Sequence, residues 1–232
     1  LEHELPYTPI IGVNEDAAVL HFHTVDHRPR PLAEQRSLLV DAGLQYNGYA
    51  ADITRTYAQH RDDFYALILA MDTLQPDVCA ALHPGKSFLQ MHEYTHELLA
   101  HLLVEFELVT TSAEEALATG VTRCFFPHGL GHLLGLQVHD IGGKQIDASG
   151  SVLASPAEHP SLRCTRMLEK DMVLTIEPGL YFIDQLLQSD AHQAVFNHRT
   201  IAHFKPYGGI RIEDNITMTQ DGHFNMTRMS NE

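Results

Sequence analysis

Apolar positions change their period along the chain, and the changes divide it. Near the N-terminal end they come in short runs. Ala17-Ala18-Val19-Leu20-His21-Phe22 reads as a short strand, and Ser37-Leu38-Leu39-Val40-Asp41 is an apolar run that ends on an acid. From Tyr49 to Tyr57 apolar and polar residues alternate, as on a half-buried strand, and Asn47-Gly48 supplies a tight turn just before. This pattern predicts a hairpin with Asp41 on one arm and Asp52 within the other. The spacing becomes helical from Asp62 to Leu82. Pro76 is expected to kink or split that helix, because it lacks an N–H and crowds the preceding turn, and His83-Pro84-Gly85 ends it. Ser87 with Gln90 three residues on is a capping-box start for a second helix reaching Phe106, with Met91, Leu98, Leu99, Leu102 and Leu103 along it. A shorter helix is predicted around Ala113 to Ala118. Strand character returns at Met172 to Ile176 and across Gly209 to Met218. Strands on both sides of a helical middle imply an α+β fold, and with no internal repeat or low-complexity linker one domain is expected over residues 1–232.

Composition narrows the function classes. Thirty acidic against 15 basic residues give a formal charge of −15, which argues against nucleic acid or an anionic membrane as partner. No apolar run approaches a membrane span, and no signal peptide is expected from the opening residues. Cys79, Cys124 and Cys164 are widely spaced and odd in number, a pattern of reduced thiols in a cytoplasmic protein. The first residue is Leu1, so a fragment or processed form is expected.

Several acids sit where acids are costly. Asp41 ends an apolar strand, Asp52 lies in an alternating one, Glu177 follows Val173-Leu174-Thr175-Ile176, and Glu213 lies within Gly209-Ile210-Arg211-Ile212-Glu213-Asp214. A lone buried carboxylate is expensive or stays protonated. Several that converge are accounted for by divalent cations, since four carboxylates and an imidazole against two dications leave a net charge near zero. The most informative segment runs from His128 to Asp140, with His128, His132 and His139 spaced by four and then seven residues and Gly129, Gly131 and Gly135 interleaved. Glycines there let the backbone turn tightly or approach a ligand closely. Seventeen histidines in the chain make one of them here unremarkable by chance, but not the whole string.

That string resembles the signature of the proline-specific peptidases of the "pita-bread" metallopeptidase family. Asp41-Ala42-Gly43, Asp52-Ile53-Thr54-Arg55-Thr56, Ile176-Glu177-Pro178-Gly179 and Arg211-Ile212-Glu213-Asp214-Asn215 match the other family blocks, in family order and over nearly the whole chain. The resemblance is strongest to the bacterial Xaa-Pro dipeptidases (prolidases), including the organophosphorus acid anhydrolase type. It implies a curved mixed sheet with helices packed outside it. It also implies two metal ions, Mn2+ with Co2+ as a possible substitute, held by Asp41, Asp52, His132, Glu177 and Glu213, with Asp52 and Glu213 bridging. A metal-bridging hydroxide would attack the bond before proline, with Glu177 as proton shuttle. His128 and His139 would contact substrate and stabilise the oxyanion, with His21 as a further active-site histidine and His23 close by. Arg163 would bind the free carboxylate of a dipeptide, where a surface salt bridge is the plainer alternative. Arg211 would orient a carboxylate ligand beside the substrate, and Tyr7 would wall a small pocket or simply pack in the core.

The resemblance further implies an N-terminal domain in the full-length protein, outside these residues, and a homodimer. Glu169-Lys170-Asp171 stands where relatives usually carry a Pro-Gly turn, so that loop is expected to differ in shape. A literal H-E-x-x-H, His92-Glu93-Tyr94-Thr95-His96, lies on a predicted helix, but Leu99 and Leu102 stand where the extended zinc-protease motif needs glycine and histidine. It is expected to be a solvated helix face. The alternatives to a dipeptidase are an Xaa-Pro aminopeptidase acting on longer peptides and a non-catalytic peptide- or protein-binding module.

Overall fold

In the computed structural model, which describes residues 5–24, 30–188 and 190–228, the first ordered strand is β1 (Ile10–Val13). It pairs antiparallel with β2 (Ser37–Ala42). The hairpin after β2 is made in two steps. β3 (Gln45–Tyr46) and β4 (Tyr49–Ala50) close on Asn47 and Gly48, at φ +49° and +85°, the two left-handed positions that a tight type I′ turn demands. β5 (Ile53–Ala58) then returns along β2 with Asp41 opposite Thr54. Asp52 therefore lies in the break between β4 and β5, not within one continuous strand. The break arises because the Ala51 N–H turns back to the Leu44 carbonyl and the Ala50 N–H goes to Gly135.

The strand expected at Ala17–Phe22 is instead a 3-10 turn over Asn14–Ala18 followed by loop. Asn14 sits at φ +57° and its amide group takes over the local hydrogen bonding. Its oxygen accepts from the Arg36 and Ser37 N–H groups at 2.7 and 3.2 Å, and its nitrogen donates to the Glu34 carbonyl at 2.8 Å. Side-chain bonds of this kind compete with a ladder and win here.

Helices α1 (Asp63–Ala80), α2 (Phe88–Glu105) and α3 (Ala113–Thr119) follow. Asp62 caps α1 by accepting from the Tyr65 N–H, and both bonds of the Ser87–Gln90 capping box are present on α2. Pro76 neither splits nor ends α1. It costs about one backbone hydrogen bond, and the buried row Phe64, Leu67, Met71, Leu74 and Val78 holds the helix on the core regardless. The chain then forms β6 (Val173–Ile176), β7 (Gly179–Tyr181), a short α4 (Asp184–Leu187), α5 (His198–Phe204), β8 (Gly209–Arg211), β9 (Asp214–Met218) and β10 (His223–Asn225).

A single strand was expected across Gly209–Met218; it is interrupted at Ile212–Glu213 because β8 pairs with β7 while β9 pairs with β6 and β10. Isolated bridges, Thr54 to Glu213 and Leu133 to Leu174, join the pieces. The fold is α+β, and its described ladders are all antiparallel rather than mixed. At the departure Glu169-Lys170-Asp171 the turn persists, with Asp171 in the left-handed position at φ +69° and the Met172 N–H on the Glu169 carbonyl. No helix among the described residues is long and apolar enough to cross a membrane.

Candidate metal centre

Each carboxylate is delivered by a strand or a strand break. Asp41 stands near the end of β2, and Thr54, its register partner on β5, donates its hydroxyl to Glu213 at 2.5 Å. Asp52 is clamped through its backbone: its N–H donates to the Asn215 side-chain oxygen at 3.1 Å, and the Asn215 amide nitrogen donates to its carbonyl. Its carboxylate is thereby left for the interior. Glu177 follows β6, with its N–H on the Leu130 carbonyl, while the Thr175 N–H and hydroxyl bond the His132 carbonyl and N–H. Those contacts press the His132 loop flat against β6. Gly131 permits it, since a Cβ there would overlap the Thr175 carbonyl oxygen.

The side chains converge. His132 bonds the Leu133 carbonyl through Nδ1 at 2.9 Å, which aims Nε2 inward, 3.5 Å from Asp52 and 3.6 Å from Glu177. Ligand atoms of Asp52, His132 and Glu213 all lie within 4.8 Å of one another. Asp41 is tied to the group through Tyr7, whose hydroxyl lies 2.7 Å from Asp41 and 2.5 Å from Asp52. One hydroxyl proton cannot serve both carboxylates.

Arg211, only 4% exposed, donates to Asp41 at 2.6 Å, to the Thr54 hydroxyl at 3.2 Å and to the Tyr181 hydroxyl at 3.0 Å. Three of its donors are so engaged, one of them on Asp41, and the residue also lines the cavity. Tyr181 passes the chain on, donating to His128 Nε2 at 2.8 Å, while His128 Nδ1–H bonds the Gly129 carbonyl.

The electrostatics are those of a negative cluster short of cations. Burial pushes the Glu177 carboxyl up to about 7 against the pull of His132 and Arg211. Burial and the neighbouring Glu177, Asp52 and Asp41 hold Glu213 well above the usual carboxylate range. Burial also raises Asp41 despite Arg211. At Asp52 burial is outweighed by hydrogen bonds from His132 and Tyr7, and the group falls below its ordinary value. Carboxylates this close, with one imidazole aimed among them, fit divalent cations: the donor set is oxygen-rich, and the positive charge already present, chiefly Arg211, leaves the cluster under-compensated.

The centre opens on a cavity of about 1200 Å³ whose walls include His21, His23, His139 and Arg163. His139 is exposed at the rim with its ring edge-on to His132, 4.4 Å between centroids; burial, then His132 and Arg163, lower it to about 4. His21 is lowered by burial and then by Arg211 and Arg163. His23 shares the same wall. Arg163 is exposed to the cavity and has no ion pair among the described residues.

The H-E-x-x-H segment is a correction: His92 and His96 are each 2% exposed, not on a solvated face, because that side of α2 packs on Phe126 and the segment carrying His159. Tyr181 and Asn215 were not singled out from the sequence. Asn215 was visible only as part of a motif block, and Tyr181 gave no signal apart from lying near Glu177.

Comparison with known proteins gives a consistent picture. The profile of metallopeptidase family M24 matches residues 2–220. Xaa-Pro dipeptidases of Shewanella frigidimarina and Shewanella piezotolerans are 49% and 47% identical to the chain over 230 residues, 98% of the chain and 52% of each relative. The chain thus spans about half the length of the curated relatives it matches. Among solved structures, a variant of Escherichia coli aminopeptidase P in complex with substrate superposes with a TM-score of 0.74 at 29% identity, covering 97% of this chain and 44% of that one. The low-pH form of the same enzyme also gives 0.74, at 30% identity, with the same coverage. The fold is therefore the pita-bread fold.

Proposed function

This chain belongs to metallopeptidase family M24, and we propose that its site hydrolyses the Xaa-Pro bond of dipeptides. The observation that carries the dipeptide limit is Arg163, a guanidinium with no ion pair among the described residues, on the wall of the cavity that also holds the carboxylate cluster. The cavity alone sets no such limit, since about 1200 Å³ is more than a dipeptide fills.

Asp41, Asp52, His132, Glu177 and Glu213 would hold two divalent cations. Their oxygen-rich donor set favours Mn2+, with Co2+ as a substitute. When bound, such ions polarise a carbonyl and make water acidic enough to act as a nucleophile at neutral pH. The chain's own residues do the rest. Glu177, at the edge of the carboxylate cluster beside His132, takes up and returns a proton. Arg211 fixes Asp41, and through Tyr181 it fixes the ring of His128. His139 stabilises charge that develops on the substrate carbonyl oxygen, with His21 beside it, while His128, both of whose ring nitrogens are engaged, contacts substrate as part of the cavity wall. Arg163 forks onto the terminal carboxylate and registers the scissile bond over the centre. Tyr7, beside Asp41 and Asp52, closes the small side of the pocket.

Three buried unpaired thiols support a reducing, cytoplasmic setting, and the family resemblance supports a homodimer of the full-length protein. A second reading, an Xaa-Pro aminopeptidase, is favoured by the size of the cavity and by the structural likeness to aminopeptidase P. Organophosphorus triester hydrolysis would draw on the same centre. A non-catalytic module is disfavoured because all five ligand positions are filled by metal-binding residues.

The test compares Gly-Pro with Gly-Pro-Pro-Ala in the wild type and Arg163→Ala. Loss of a charge-assisted bond of about 1.5–3 kcal/mol raises KM for Gly-Pro about 10- to 100-fold with kcat less affected. Strong cleavage of the longer peptide, indifferent to the substitution, would establish the aminopeptidase instead.

A further inference from the structure

Helix α2 buries two imidazoles one turn apart, and a third reaches them from the segment before Arg163. His92 Nε2 lies 3.0 Å from His159 Nδ1 and 3.2 Å from His96 Nε2, and the ligand nitrogens of all three fall within 4.8 Å of one another. As a hydrogen-bonded cluster this is poorly satisfied. A neutral imidazole has one N–H and one lone pair. His96 can place its proton on Nδ1, 2.9 Å from the Thr122 hydroxyl, which leaves its Nε2 lone pair facing His92. His92 Nδ1 is buried without a partner. If His92 carries its proton on Nε2, one N–H must serve two acceptors and the Nδ1 lone pair is stranded. If the proton is on Nδ1, that buried donor is the stranded group, and the Nε2 lone pair accepts from only one of the two imidazoles that face it.

Protonation offers no escape. Burial, then the neighbouring histidines, hold His92 down to about 2 and His96 to about 3, and burial lowers His159 as well. A cation at the point of convergence would satisfy three lone pairs at once. Tetrahedral zinc with Zn–N of about 2.0–2.1 Å sets its nitrogens roughly 3.3 Å apart, close to the two separations observed.

We propose that His92, His96 and His159 form a mononuclear site for a borderline transition dication, Zn2+ foremost, separate from the carboxylate centre. Its ligands are all nitrogen, whereas the carboxylate centre is dominated by oxygen, so the two sites select different ions. Thr122 orients His96 from outside, the usual arrangement for a ligating imidazole. Glu93 is exposed to solvent and makes no hydrogen bond into the cluster among the described residues, so we assign the site no hydrolytic role. Its role is to fasten the segment around His159 to α2. Pro160, Ser161, Leu162 and Arg163 follow directly and line the substrate cavity, so the site would fix the position of Arg163. The Phe126 ring, packed on His92, His96 and His128, is a second physical link to the centre.

The experiment is a Co2+ and Zn2+ titration of the metal-stripped full-length protein, as wild type, Asp52→Asn and His159→Ala, with visible absorption and a competing chromophoric chelator as readouts. The proposal expects the intense visible absorption of tetrahedral Co2+ to survive Asp52→Asn and to vanish in His159→Ala. It also expects Zn2+ affinity at that site to fall in His159→Ala by more than the roughly 10- to 100-fold that loss of an outer partner costs. His159 lies half-exposed outside any helix or strand, so its removal leaves the core intact, and the wild-type spectrum stands without the variant. Uptake that is abolished by Asp52→Asn and unchanged by His159→Ala would overturn the proposal while leaving the carboxylate centre in place. Absence of tetrahedral Co2+ absorption from the wild type would overturn it too.

Discussion

Replacing Glu177 with Gln removes one titrating carboxyl from the buried cluster and keeps its shape. In the metal-free wild type that carboxyl, 16% exposed, is held at about 7 against an ordinary value of 4.5. Between those two values the folded state keeps a proton that the unfolded chain has released. The stabilisation is therefore complete below about pH 4.5 and is lost as pH rises through 7. A difference of about 2.5 units at about 1.36 kcal/mol each amounts to roughly 3 kcal/mol. For a domain of this size that is roughly 6–12 °C in Tm. Glu177→Gln escapes the loss. The two chelated proteins should differ by a pH-dependent amount, with the variant gaining on the wild type by roughly 6–12 °C between pH 4.5 and 8. The histidines that burial depresses lose stability toward acid, the opposite sense, but they are common to both proteins and cancel in the difference. With Mn2+ added the order should reverse at neutral pH, because the variant lacks one of the proposed ligands. Thermal unfolding by circular dichroism with excess EDTA, then with Mn2+, reads both effects. A difference independent of pH, or a chelated wild type that gains on the variant as pH rises, would refute the idea that burial among like charges governs this site.

Asp52→Asn removes a charge that faces both His132 and Tyr7 and should lower metal content together with activity, the latter to below roughly 1%; elemental analysis beside a Gly-Pro assay checks it, and full metal content with near-normal turnover would show the ligand set is wrong. Arg211→Met leaves Asp41 buried without its cation and the Tyr181 hydroxyl without its donor. Breaking a buried pair from one side costs about 3–5 kcal/mol, so the metal-free protein should melt roughly 6–20 °C lower, and an unchanged Tm at neutral pH would show that Arg211 carries no such burden.

The α+β class and the blocks that converge on the centre were legible because each depends on local residues. Asn47-Gly48 can only turn one way, Ser87 and Gln90 cap their own helix, and an acid at the end of an apolar run is conspicuous at Asp41 and Glu177. What stayed hidden was set by distant partners. Asp52 was read as within a strand because alternation continues through it, yet its backbone bonds run to Asn215, 163 residues away. The break at Ile212–Glu213 likewise follows from β7 and β6 drawing the chain to different neighbours. Ala17–Phe22 has strand composition, but Asn14 commits the backbone before it can pair.

The helix carrying His92 and His96 shows most plainly where sequence logic ran out. Rejecting a zinc protease there rested on missing residues at Leu99 and Leu102, and the exposure of Glu93 agrees with that rejection. Rejecting the protease is not the same as rejecting burial. The spacing i, i+4 puts both histidines on one face whichever way that face points. Apolar Met91, Leu99 and Leu102 lie on the buried side as well, so the helical period already placed His92, one residue after Met91, near the core. The motif drew attention to chemistry that the helix does not perform and away from a packing fact that the period contained. Buried imidazoles need partners, and here the third comes from His159, 67 residues from His92. That coupling joins α2 to the segment bearing Arg163, so the position of the residue proposed to hold a substrate carboxylate is tied to a cluster that the peptidase motifs do not mention.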